Sequence, residues 1–341
     1  MTFEIIATGR AVPPKRVTNE ELSQKIDTTD EWIRSHTGIG ARHLAEEDTA
    51  CSDLAVLAAR SAISQLAEKT GEDPLALIAS IDLIILATST PDYPSVPASA
   101  CVVQHKIGAR NAAAFDISAC CTGLIYALEA ASGLLAVNEA RKRALVIGAE
   151  VLSRIVDWTD RASCVLFGDG AGAVILEKTS AERGGAARRG LVRCILGADG
   201  SGSGALMVKR GGSRAPFKRG EIVESPPHID MDGRAVYNFA VKIITETIEN
   251  LLTADGITID AVRWIIPHQA NARIVAAAQK RLGIPEEKIY LNIEEYANTS
   301  AASIGIALDE LNRKGSLSRG DILLLVGFGA GLSYGGALVV W

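Results

Sequence analysis

Ile81-Asp-Leu-Ile-Ile-Leu-Ala87 and, roughly 180 positions later, Arg263-Trp-Ile-Ile266 are short apolar runs that read as buried strands. The order of elements downstream of each run decides the fold. After 81–87 comes a helical-period segment ending Lys106-Ile-Gly108, then a strand through Phe115-Asp116, a short turn, a helix opening near Cys121 and a strand over 144–149. After 263–266 comes a helix ending Arg281-Leu-Gly283, a strand near 289–292, a turn at Asn298-Thr-Ser300, a helix and a strand over 322–327. Each series closes on a Gly-rich turn and a strand, Phe167-Gly-Asp-Gly-Ala-Gly-Ala-Val-Ile-Leu176 and Phe328-Gly-Ala-Gly-Leu332 followed by Ala337-Leu-Val-Val340. The offset stays at roughly 175–180 positions, far longer than a solenoid repeat. The shared order implies a duplicated α/β unit. Its expected halves are 1–180, with the candidate nucleophile, and 181–341, with the remaining candidates. Helices are expected at 50–69, 98–107, 121–136, 236–252, 272–282 and 300–314. Residues 182–227, rich in Gly, Ser, Arg and Pro, read mostly as loop between the halves.

Composition narrows the function. The 341 residues are 48% hydrophobic but only 5% aromatic, which suits helices packed closely on strands. A net charge of −5 gives the chain as a whole no attraction for nucleic acid or anionic lipid, so neither is expected as a partner. The start lacks the basic and apolar segments of a secretory signal, and no apolar run is long enough to span a bilayer. A cytoplasmic protein with reduced thiols is the expectation. The six cysteines include no C-x-x-C pair and no zinc-spaced Cys/His cluster, so no metal is expected.

Chemistry concentrates at strand ends. Cys121, in Phe115-Asp-Ile-Ser-Ala-Cys-Cys121-Thr-Gly, opens a helix, where unsatisfied backbone N–H groups and the helix dipole favour thiolate. The bland alternative, a small buried hydrophobe, is the reading taken for Cys51, Cys101, Cys120, Cys164 and Cys194. His268 follows Pro267, which ends a strand and throws the imidazole onto a loop of the kind that holds sites in α/β proteins. Asn298 alone reads equally as a helix cap. The duplication puts it nearly where Cys121 stands in the other half, so both loops are expected at one central cleft.

These segments, with Asp30-Glu-Trp32-Ile, Thr37-Gly-Ile39, Pro267-His-Gln-Ala-Asn271 and Asn298-Thr-Ser-Ala-Ala-Ser303, resemble the thiolase-fold condensing enzymes. Within them the chain is most similar to the 3-oxoacyl-[acyl-carrier-protein] synthase III family, over essentially its whole length. The resemblance implies an α/β, thiolase-like duplicated five-layer αβαβα fold and a homodimer. It implies Cys121, His268 and Asn298 as the catalytic three, where elongating relatives use Cys-His-His and biosynthetic thiolases a second Cys. It implies an acyl-CoA starter, acetyl or short and branched, condensing with malonyl-acyl-carrier-protein, without a cofactor beyond the CoA thioester itself. The oxyanion would meet the backbone N–H groups of Cys121 and Ala330, the latter a Gly in many relatives. Trp32 and Arg161 would sandwich the CoA adenine, with Thr28 and Asn271 nearby, and His36 replaces an Arg of several relatives. Gln269, Arg273, Lys280 and Arg281 would dock an acidic carrier protein; Arg273, Lys280 and Arg281 share one helix face. Lys209, Arg210, Arg214, Lys218 and Arg219 would add to the field. Val96 would reach towards a partner's acyl pocket. Two rival readings remain: a related condensing enzyme or acyltransferase of secondary metabolism, and a non-catalytic acyl-CoA-binding protein on the same fold.

Overall fold

The computed structural model describes residues 1–179, 189–223 and 225–341. In chain order its main elements are β1 (Thr2–Ala11), α1 (Asp30–Thr37), α2 (Cys51–Thr70), β2 (Ile81–Ala87), α3 (Ser99–Ile107), β3 (Ala113–Ile117) and α4 (Gly123–Ala136). Next come β4 (Arg143–Glu150), β5 (Gly170–Thr179), β6 (Gly190–Ala198), α5 (Gly233–Asp255), β7 (Val262–Pro267), α6 (Ala272–Leu282), α7 (Ser303–Arg313), β8 (Ile322–Gly329) and β9 (Ser333–Val340).

Two sheets result. The first has the order β1-β5-β4-β2-β3 and the second β7-β8-β9-β6. In both, parallel pairing gives way to antiparallel at the closing strand: β2 runs parallel to β4, and β4 antiparallel to β5; β7 runs parallel to β8, and β8 antiparallel to β9. Strand alternation explains the layering. Leu83 and Ile85 of β2, with Leu323 and Leu325 of β8, point into one core around α4 and α7. Ile84 and Leu86 point the other way, against α2 and α3. Leu324 and Val326 likewise turn outward against α5 and α6. The layers are therefore helix, sheet, helix, sheet, helix, and the central α4 and α7 carry the two turns of interest at their N-terminal ends.

One element expectation needs correction and another needs detail. The segment 182–227 is largely loop among its described residues, but it also holds β6, which pairs with β9 from Gly190 to Ala198. Residues 182–188 and 224, and the proposed boundary at 180/181, fall outside the described residues. The strand near 289–292 shrinks to a single bridge between Ile289 and Ile265, because a helix starts at Ile293. Among the described residues no helix is long and apolar enough to cross a membrane.

Candidate active site

Chain direction reverses sharply between β3 and α4. Cys120 takes a left-handed conformation (φ 47°), and Cys120–Thr122 form a 3₁₀ turn that runs into α4. A non-glycine residue held left-handed costs on the order of 1 kcal/mol or more and marks a position fixed by its surroundings. The second half repeats the device: Ser300 (φ 47°) opens the 3₁₀ turn Ser300–Ala302 ahead of α7. The strict counterpart of Cys121 is thus Ala301, and Asn298 stands three residues before it, a refinement of the expected match. Two close approaches lock the turns. A Cβ on Gly148 of β4 would lie 2.1 Å from the Ala301 carbonyl oxygen, and one on Gly329 would lie 2.9 Å from the Cys121 nitrogen.

Cys121, His268 and Asn298 line one cleft of about 290 Å³ together with Trp32, Asn271, Arg273, Tyr237 and Phe328. A second cavity of about 170 Å³ is lined mainly by Leu152, Ile155, Met207, Val208, Ile229 and Ala330, with Ser89, Cys120 and Ser300 at its polar side. Cys121, Phe167 and Leu206 belong to both. The sulfur therefore sits where a mainly apolar chamber meets a cleft carrying hydrogen-bond donors.

Each polar group is held from behind. His268, 1% exposed, anchors its N–H to Val326 O at 2.7 Å and packs edge-on against Phe328. Its Nδ1 lies 2.8 Å from Ser303 Oγ, which also accepts the Gln269 N–H at 3.4 Å. A serine proton given to Nδ1 would place the ring proton on Nε2. Burial lowers the His268 pKa to about 3, so the imidazole is neutral. Asn298 bridges the halves: its N–H donates to Leu166 O, and its carbonyl accepts from Gly168 N–H. Its side-chain Oδ1 accepts from Ser300 N–H at 2.9 Å, leaving Nδ2 as a donor for the cleft. The thiol differs from expectation. Burial, with Cys120 alongside, pushes Cys121 up to about 12 against the opposing pull of Ser300 and its own backbone N–H. Desolvation outweighs the helix end, and the resting group is a thiol.

The other candidates divide. Asn271 caps α6 through Arg273 N–H at 2.8 Å and donates to His36 O at 3.1 Å, tying α6 to α1 at the cleft. Arg161 lies directly over the Trp32 ring, 4.7 Å from its centroid, while His36 stacks on the same indole at 4.4 Å. No gap for a base exists between Trp32 and Arg161; the guanidinium, held by Asp27 O, must swing away to admit one. Thr28 is absent from the cleft lining, and its hydroxyl is buried without a partner. Arg273 is at the cleft, and Lys280 and Arg281 are exposed further along α6. Gln269 cannot dock anything. It is 1% exposed, its amide donates to Pro267 O and Tyr290 O, and its oxygen accepts from Asn292 N–H. Lys209 and Arg210 pair with Asp230 and Glu221, which weakens their contribution to any external field. Val96, 80% exposed, lines neither cavity of its own chain. All six cysteines are free, and Cys101, expected to be buried, is exposed. The sequence pattern does not single out Ser300, Ser303, Phe328 and Gly329 as site residues, although the first two stand inside the Asn298 segment.

The layering and the helix-tip thiol at a two-chambered site define a thiolase-like fold built for acyl-group chemistry. Known proteins agree with that class. Residues 115–200 match the 3-oxoacyl-[acyl-carrier-protein] synthase III family, and residues 252–341 match the C-terminal region of the same family. Over 340 residues the chain is 45% identical to the beta-ketoacyl-[acyl-carrier-protein] synthase III of Clostridium acetobutylicum, covering 100% of this chain and 99% of that one. The crystal structure of 3-oxoacyl-[acyl-carrier-protein] synthase III from Aquifex aeolicus superposes with a TM-score of 0.85 at 38% identity, over 99% of this chain and 100% of that one. The priming beta-ketosynthase of the R1128 polyketide pathway gives a TM-score of 0.87 at 33% identity, over 99% and 96%. The chain belongs to the 3-oxoacyl-[acyl-carrier-protein] synthase III family.

Proposed function

We propose that this condensing acyltransferase joins an acetyl or short branched acyl-CoA to malonyl-acyl-carrier-protein through an acyl-enzyme on Cys121, initiating fatty acid synthesis. The observation that carries the reading is the meeting of two cavities at that sulfur, with His268 and Asn298 offering neutral donors in one of them. In the first half-reaction the acyl group enters the apolar chamber and the thiol attacks its carbonyl. The backbone N–H groups of Cys121 and Ala330 would hold the oxyanion, each such donor contributing about 2.7–4 kcal/mol. In the second, His268 Nε2 and Asn298 Nδ2 donate to the malonyl thioester carbonyl while CO2 leaves. The enolate then attacks the acyl carbon. Decarboxylation creates its own carbanion, so a donor that stays neutral serves where a strong base is unnecessary.

The indole of Trp32 offers a stacking face for the CoA adenine, with Arg161 closing over it after it moves and Asn271 beside it. Arg273, Lys280 and Arg281 form the docking face for an acidic carrier protein. A homodimer in the cytoplasm, with Val96 reaching its partner, and the two halves 1–180 and 181–341 complete the proposal. Separating the half-reactions tests it. His268→Ala and Asn298→Ala should each slow malonyl decarboxylation about 10²–10³-fold while Cys121 still takes up acetyl from acetyl-CoA. Equal loss in both half-reactions contradicts the division of labour. The polyketide-priming relative supports a second reading, a specialised starter. A panel of acyl-CoAs with malonyl-acyl-carrier-protein that gives no 3-oxoacyl product from acetyl or branched starters would favour it.

A further inference from the structure

The two half-reactions leave one buried charge without a part to play. Arg42 is 0% exposed, and among the described residues no carboxylate pairs with it. Its guanidinium donates to neutral oxygens: Asn19 Oδ1 at 2.8 Å, Val165 O at 2.9 Å and, at the limit of a bond, Val17 O at 3.5 Å. Its Nε is buried without a partner. Burial lowers the pKa to about 10, so the group remains a cation at neutral pH. A buried charge is a poor means of stabilising a fold, and an apolar side chain of that size would avoid the desolvation. What the guanidinium supplies is direction: a planar fork fixes two oxygens relative to each other.

The carbonyl it grips belongs to the segment on which Asn298 is mounted. Leu166 O accepts the Asn298 N–H at 2.9 Å, Gly168 N–H donates to Asn298 O at 3.0 Å, and Phe167 and Asn298 form a parallel bridge. Arg42 meets this segment twice, through Val165 O and through its stem, since a Cβ on Gly168 would lie 3.3 Å from the Arg42 Cβ. The segment's far end is held separately, by Asp169 N–H on His43 O at 2.8 Å. On its other side Arg42 holds Asn19, which is itself anchored: its Nδ2 donates to Ile39 O at 2.7 Å and to Asp30 Oδ1 at 2.8 Å. The place of Asn298, in the second half of the chain, is thus set by a side chain from the first.

We propose that Arg42 is a positioning residue for decarboxylation: by fixing the 165–168 segment it sets where the Asn298 carboxamide stands in the cleft; this rests on Asn298 donating to the malonyl thioester. Arg42 lines neither cavity, so it acts only through that segment. The nucleophile hangs on other supports, the turn into α4 and the close approach of Gly329, and Arg42 bonds to neither. Loss of the fork should therefore move the donor and leave the thiol in place. A donor misplaced by about 1 Å can cost about 100-fold in rate. Lysine keeps the charge but not the fork, so it cannot span both oxygens in the same way.

The test measures CO2 release from malonyl-acyl-carrier-protein and acetyl uptake by Cys121 from acetyl-CoA on the same preparations. Arg42→Lys and Arg42→Met should each release CO2 about 10–100-fold more slowly at saturating malonyl-acyl-carrier-protein, with KM unchanged and acetyl uptake within about twofold of the wild type. Added to Asn298→Ala, Arg42→Lys should cost less than about twofold more, because the group it positions is gone. Wild-type CO2 release in Arg42→Lys overturns the proposal, as does equal slowing of both half-reactions or full additivity with Asn298→Ala. Should Arg42→Met fail to fold, Arg42→Lys decides alone. Wild-type CO2 release in Asn298→Ala overturns the donor role of Asn298 instead, a result that the Arg42 variants by themselves cannot give.

Discussion

The His268 imidazole is enclosed as a neutral ring, and that enclosure has a measurable consequence for stability. Its folded pKa, about 3, lies below the ordinary histidine value of about 6.5. The folded protein therefore binds this proton less readily than the unfolded chain. Stability from this group is consequently intact above about pH 6.5 and is lost progressively as pH falls from there toward 3. At about 1.4 kcal/mol per pH unit, this one group should remove about 2 kcal/mol of stability between pH 7 and pH 5. Urea unfolding of the wild type and of His268→Gln at both pH values isolates the effect, because other titrating groups cancel in the difference. The wild type should lose about 2 kcal/mol more than the variant on acidification. A difference that does not change with pH would mean that the ring titrates normally in the folded state. The neutral-donor role in decarboxylation would then have to be given up.

Particular contacts set the remaining outcomes. Gly148→Ala puts a Cβ against the backbone of Ala301 at 2.1 Å, so it should cost about 1–3 kcal/mol and displace the Ser300 turn with loss of condensation; wild-type melting and turnover would refute this. Trp32→Ala should raise the KM for acyl-CoA about tenfold with kcat nearly unchanged, read from steady-state kinetics. Charge reversal at Arg273, Lys280 and Arg281 should raise the KM for the carrier protein in a manner that high salt masks. Gln269→Ala should instead lower stability by about 1–3 kcal/mol without a salt-dependent change in that KM.

Much of the architecture could be read from pattern alone, because strands buried on both faces are nearly continuous apolar runs. Ile81–Ala87 coincides with its strand, and 272–282 with its helix. The elements that escape depend on partners distant in sequence. Gly190–Ala198 has the composition of a connection, and only its long pairing with β9 makes it a strand. At the site, Cys121, His268 and Asn298 are legible because each follows a strand or opens a helix. The state of the thiol is not: helix position argues for thiolate, but the depth of burial decides, and depth is set by Gly329 and the turn from the other half. Gln269 misleads for a similar reason. A polar residue next to His268 looks available until Pro267, Tyr290 and Asn292 turn out to occupy it.

The most direct test of the acyl-enzyme route is intact-protein and peptide mass spectrometry after mixing with acetyl-CoA alone. The expected result is one acetyl group per chain, on the peptide containing Cys121, removed on adding malonyl-acyl-carrier-protein and never formed in Cys121→Ala. An unmodified Cys121, or acetyl that malonyl-acyl-carrier-protein cannot discharge, would contradict it.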